Sequence, residues 1–113
     1  MRIVEHISAA LDLTNATAAN RRAQTVPTDD YRLSGVLCTF STTQARDITV
    51  SVVQADTAAE VVLSTVSANA ATSWAWAPTA IPVSFSHPWA VRVQFSQAGG
   101  ACSARVYTLT ADE

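Results

Sequence analysis

The chain has 113 residues, a formal net charge of −2 and only 14% charged residues. That length fits one domain with a core of its own. The weak negative charge, with no basic cluster beyond Arg21-Arg22, argues against nucleic-acid binding through phosphates.

No apolar run approaches the roughly 20 residues that span a membrane, so no membrane partner is expected. Met1-Arg2-Ile3-Val4-Glu5-His6 lacks an unbroken apolar signal core, because Glu5 and His6 interrupt it. The expected compartment is the cytoplasm, or a particle assembled there. All seven cations are arginines. Thr, Ser and Ala must therefore cover much of the surface, and a surface so poor in charge suits burial against partner subunits. A soluble monomer with a Ser/Thr-rich β surface is the plainer reading.

In chain order, residues 1 to 7 read as a short strand carrying Ile3, Val4 and Ile7. Residues 8 to 26 fit neither the helical nor the strand period, and an extended arm is expected, with some strand around Leu11 to Leu13. Val26-Pro27-Thr28-Asp29-Asp30 is a turn signal. Tyr31 to Ser41 is a strand with Gly35 marking a bulge or a close backbone approach. Asp47 to Gln54 alternates, with Ile48, Val50 and Val52 on one face. Glu60 to Ser67 is again β-rich. Trp74-Ala75-Trp76 stands before Pro78 and Pro82, which makes it edge strand or loop.

Trp89 to Ser96 carries the clearest pattern. Trp89, Val91, Val93 and Phe95 fall on one face, and Ala90, Arg92, Gln94 and Ser96 on the other. The first four are the predicted core. Ala98-Gly99-Gly100-Ala101 reads as a hairpin loop, and Cys102 to Thr110 as the returning strand. The sum is a single all-β sandwich of about seven to eight antiparallel strands, of jelly-roll or immunoglobulin-like type. Residues 1–30 form its N-terminal strand and extended arm, residues 31–113 the sandwich.

The chemistry-bearing residues are few. His6 and His87 have no metal-ligand spacing around them. No nucleophile, dinucleotide or phosphate-loop motif occurs. Asp29-Asp30 and Asp56 lack the spaced array a calcium loop needs and read as turn residues. Cys38 and Cys102 both fall in strands, where a bridge through the core is geometrically possible. The first Trp after Cys38 is Trp74, too late for the antibody pattern, and two buried reduced thiols are expected. No enzyme, metal or cofactor is expected. Trp74 and Trp76 share a strand face. They offer either a stacking platform for a sugar ring or an anchor for core or subunit contact. Together with Arg21 and Arg22 they are the candidate interface or ligand residues.

The order of elements from residue 31 to 110 resembles small β-sandwich structural proteins of tailed bacteriophages. The resemblance is one of texture and order: a Thr/Ser/Ala-rich chain, a short N-terminal arm, and a Trp-x-Pro-like element (Trp76-Ala77-Pro78) leading into Ile81-Pro82-Val83, a turn, and the strand from Trp89. The resemblance implies a non-enzymatic virion component, a capsid-decoration, neck or tail-fibre module. Its partners would be other virion proteins and further copies of itself as a homo-oligomer. The alternative is a carbohydrate-binding module with Trp74 and Trp76 on a glycan.

Overall fold

The computed structural model describes residues 2–25, 31–54, 59–78, 83–85 and 89–110. Ten strands run β1 Arg2–Ile7, β2 Leu11–Asp12, β3 Arg22–Thr25, β4 Tyr31–Phe40, β5 Arg46–Gln54, β6 Glu60–Asn69, β7 Ser73–Trp76, β8 Val83–Phe85, β9 Trp89–Phe95 and β10 Ala101–Thr110. One turn of 3₁₀ helix, Ala18–Arg21, is the helical part of the described residues.

The strands form two antiparallel sheets. In the first, the order is β1-β10-β4-β7, with β2 continuing the β1 edge along β10 and β8 continuing the β7 edge along β4. In the second, the order is β3-β9-β5-β6. With β1/β2 and β7/β8 each filling one edge, both sheets have four strand positions. Chain order alternates between the sheets in the manner of a jelly roll, and the immunoglobulin-like option drops out.

The core lies where the alternating apolar runs face one another. Ile48, Val50 and Val52 of β5 lie opposite Phe95, Val93 and Val91 of β9, and all six are buried. From the other sheet Leu33, Val36, Cys38 and Phe40 of β4 and Cys102, Ala104 and Val106 of β10 meet them. Phe40 and Phe95 touch edge to face across the gap, with ring centroids 5.7 Å apart. Trp89 packs at the core's margin, half-buried.

Two local features have visible causes. The ladder between β4 and β10 slips at Tyr107/Thr108, leaving Ser34 as the extra residue beside Gly35. A Cβ at Gly35 would stand 3.2 Å from the Trp76 carbonyl oxygen, so the missing side chain is what lets β7 lie close. At Gly100 φ is +85°, and a Cβ would collide with Ser41 and Thr42.

The segment read from sequence as a hairpin at residues 98–101 is a crossing instead. β9 and β10 belong to different sheets, and the connection closes one end of the sandwich. There the Ser96 amide donates to the Asp47 carbonyl, the Ala98 amide to that of Leu13, and the Leu13 amide to that of Gly100.

Residues 2–25, expected as strand and arm, lie on this sandwich. β1 pairs with β10 over its full length, β2 adds two residues, and β3 forms the edge beside β9. Leu13 is fully buried, and Arg21 fastens the 3₁₀ turn by donating from Nε to the Phe95 carbonyl and from a terminal nitrogen to that of Asn15.

Candidate interaction surface

The short links between elements decide which edges share a flank. The 3₁₀ turn touches both β2 and β9, so the β1/β2 edge and the β3 edge lie on one side. β6 passes into β7 within three residues, so their edges lie on the other.

The large exposed apolar side chains of the described residues divide between those two flanks. Ile3 is 67% exposed and Ile7 58%, both on β1; Val61 is 49% and Val62 56%, both on β6. Both strands are edges with no neighbour beyond them among the described residues.

On β1, alternation puts Ile3, Glu5 and Ile7 outward, opposite Leu109, Tyr107 and Arg105 of β10. Leu37 of β4 continues the row beside Arg105. Tyr107 Oη donates to a Glu5 carboxylate oxygen at 2.8 Å. That contact with Glu5 is the largest influence raising the Tyr107 phenol above its ordinary pKa. The inward residues are Val4 and His6, opposite Thr108 and Val106. His6 Nε2 lies 3.1 Å from Thr108 Oγ1, and partial burial lowers the imidazole pKa.

On β6, the pairing with β5 slips between Val50 and Ser51, so Leu63 is the extra residue and Val62 lies opposite Ser51 on the outer face. Ser51 Oγ donates to Glu60 at 2.7 Å, and Arg92 stands 4.0 Å from the same oxygen while donating to Gln24. This polar network covers the outer face of the second sheet, whereas Val61 and Val62 stay bare at its rim.

Trp74 and Trp76 do not form an outward platform. They face inward opposite Cys38 and Val36, half-buried against the core, while Ser73 and Ala75 point out. Arg22 lies on the outer face of β3 opposite Gln94, and Arg21 is engaged with backbone carbonyls. The structure therefore does not bring Trp74, Trp76, Arg21 and Arg22 into one site. Cys38 and Cys102 are free, buried, and on adjacent strands of one sheet, so a link between them would not join the two sheets. Among the described residues, no group of three or more His, Cys, Asp and Glu could hold a metal ion. His87, Asp29, Asp30 and Asp56 lie outside the described residues.

The buried Arg46 was not singled out by its sequence context. It is 1% exposed at the end of the core, with its guanidinium carbon 3.9 Å from the Phe40 ring centroid. Its terminal nitrogens donate to the carbonyls of Ala71 (2.6 Å) and Thr42 (2.8 Å) and to Asn69 Oδ1 (3.3 Å). Burial pushes its pKa down. An arginine one position before an alternating run looks, in sequence, like any solvated flank.

No family model and no curated protein matches this chain. Among solved structures it is similar to the Drosophila NLP core, whose structure is described as giving insight into pentamer formation and histone binding. The identity is 10%, with a TM-score of 0.46, over 97% of this chain and 100% of that one. It is also similar to the nucleoplasmin-like N-terminal domain of Drosophila FKBP39, at 12% identity and TM-score 0.44, over 98% and 92%.

These neighbours correct the expected kinship: they are nucleoplasmin-like domains, not phage head, neck or tail-fibre modules. The virion location and the virion partners rested on that kinship alone and fall with it. The carbohydrate module falls too, and the inward tryptophans give the physical reason. At these identities and TM-scores the likeness argues nothing about what this chain binds.

Proposed function

We propose that the chain is a non-enzymatic β-sandwich module that assembles with copies of itself. One observation carries this reading. Ile3, Ile7, Val61 and Val62 all stand exposed on open edge strands, where apolar area and unpaired backbone invite another copy. Removing such area from water stabilises an interface by about 25 cal/mol per Å² before ordering costs. The low charge adds little repulsion between copies.

The test is sedimentation velocity on the purified chain across the micromolar range. Self-association is expected, and it is expected to be lost in Ile7→Glu and in Val62→Glu. A wild-type chain that stays monomeric throughout would overturn the proposal.

A further inference from the structure

The two open edges differ in their main chain as well as in their side chains. The Ser8 amide donates to the Ala104 carbonyl at 2.9 Å, and the Ala104 amide turns back to Ser8 Oγ at 3.0 Å. Opposed residues of an antiparallel pair alternate between bonding each other and turning their main-chain groups away. With His6 opposite Val106 and Ile7 opposite Arg105, the register fixes which residues do which. Val4, His6 and Ser8 turn to β10. Ile3, Glu5 and Ile7 turn their N–H and C=O groups outward, where no strand lies beyond them among the described residues. β1 runs from Arg2 to Ile7 with no register slip and no proline, and such an edge is one that another strand can extend.

On β6 the Gln54 amide donates to the Ala59 carbonyl at 2.8 Å, so Val52 and Val61 form the next bonded pair. Glu60 and Val62 therefore turn outward. Beyond the slip at Leu63 the ladder resumes with Ser64 opposite Val50, which turns Thr65 outward. The bulge interrupts this edge, so it offers a few main-chain groups on either side of Leu63 in place of one long row.

We propose, resting on the self-association proposed above, that copies join by strand addition. β1 of one copy lies antiparallel along β6 of the next, and the first sheet of one continues into the second sheet of the other. The strands themselves choose this occupant. A second β1 laid antiparallel on β1, with Ile3 against Ile7, sets Glu5 directly against Glu5, and like charges at opposed positions are destabilising. A second β6 on β6 puts two bulges into one ladder. β1 along β6 avoids both. The antiparallel direction brings the Ile7 end of β1 to the Val62 end of β6, so the exposed aliphatic side chains meet. Arg105, beside Ile7 on the outer face, then stands towards Glu60, whose side chain is 40% exposed. A parallel strand would carry Arg105 to the Thr65 end, away from that carboxylate.

The experiment compares Glu5→Pro with Glu5→Ala in the full chain by sedimentation velocity. Both lose the carboxylate that accepts from Tyr107. Proline also removes the outward N–H of residue 5 and takes no donor from the ladder with β10. Glu5→Ala should associate as the wild type does, and Glu5→Pro should stay monomeric over the same micromolar range. A Glu5→Pro chain that behaves as Glu5→Ala does would overturn strand addition and leave contact through side chains alone. A monomeric wild type would instead remove the self-association on which strand addition rests. Amide hydrogen exchange on the wild type, read residue by residue by NMR, covers the case in which Glu5→Pro fails to fold. The amides of Ile3, Glu5, Ile7 and Val62 should exchange freely in the dilute monomer and become protected on assembly, whereas those of Val4 and His6 should be protected in both. Assembly that leaves Ile3, Glu5 and Ile7 exchanging as in the monomer would overturn the proposal.

Discussion

Arg46 is the side chain for which replacement has the widest consequences. Its guanidinium satisfies the Thr42 and Ala71 carbonyls and lies on the Phe40 ring. Arg46→Met keeps the apolar length but leaves those carbonyls without donors. A loss of about 2–4 kcal/mol is expected in urea denaturation, which a surface arginine would not cost. Phe95 is a purer case. It is buried and edge-on to Phe40 between the sheets. Phe95→Ala should cost about 3–5 kcal/mol, and a cost below about 1 would mean that the site collapses onto the truncated side chain or that the face is misassigned. Ala68 gives the opposite sign. Its φ of 55° is in the left-handed region, at the slip where β6 meets the end of β5 and the Ala68 amide donates to Asp47. Ala68→Gly removes that strain at the cost of a looser unfolded chain, and a gain of up to about 1 kcal/mol is expected from the same titration.

Among elements, β1 responds to pH. His6 is the inward residue whose folded pKa lies below 6.5, the ordinary value, because burial disfavours the imidazolium. The unfolded chain then binds the proton more readily. The His6 contribution is fully present above pH 6.5 and is lost as pH falls through that value towards the lowered folded pKa. The urea midpoint should therefore fall between pH 7.5 and 5.5, and His6→Gln should reduce that fall; equal falls in both proteins would exclude His6 as the source. The same strand shows where sequence reading stops. β5 and β9 were legible because Ile48, Val50 and Val52, like Val91, Val93 and Phe95, alternate with polar residues and name their own inner face. In β1 both faces are partly apolar, Ile3 and Ile7 on one and Val4 on the other, and pairing with residues 105–110 selects Val4 and His6 for the inside. A partner so distant in sequence leaves no local trace, so the exposed isoleucines could not be picked out beforehand. Gly99-Gly100 misled for a related reason. A loop that crosses between sheets uses the same permissive residues as a hairpin turn, and only the pairing of β10 with β4 tells them apart.

At the scale of the whole molecule, the placement of the bare apolar residues restricts the symmetry of assembly. Ile3 and Ile7 lie on one flank and in one sheet, Val61 and Val62 on the other flank and in the other sheet. Charge differs in the same direction. The β1 flank carries Arg2 and Arg105 around Glu5, whereas the β6 flank carries Glu60, with Asp47 on the adjoining strand. Unlike surfaces favour head-to-tail contact, which repeats from copy to copy and closes into a ring when the rotation allows. Like-to-like contact would instead bring arginine against arginine on one flank and carboxylate against carboxylate on the other. The two arrangements predict different outcomes for mixtures. In the head-to-tail case Ile7→Glu has only its β6 flank intact and Val62→Glu only its β1 flank, so each alone is monomeric. Mixed in equal amounts, they should form a dimer with one copy of each, unable to grow because the remaining flanks are both spoiled. In the like-to-like case each variant alone dimerises through its intact flank, and mixing creates nothing new. Sedimentation of the two variants apart and together, with one carrying a fluorophore, reads this directly. Dimers of each variant alone, with no mixed species, would sink the head-to-tail arrangement, and a mixed dimer from two monomers would sink the like-to-like one.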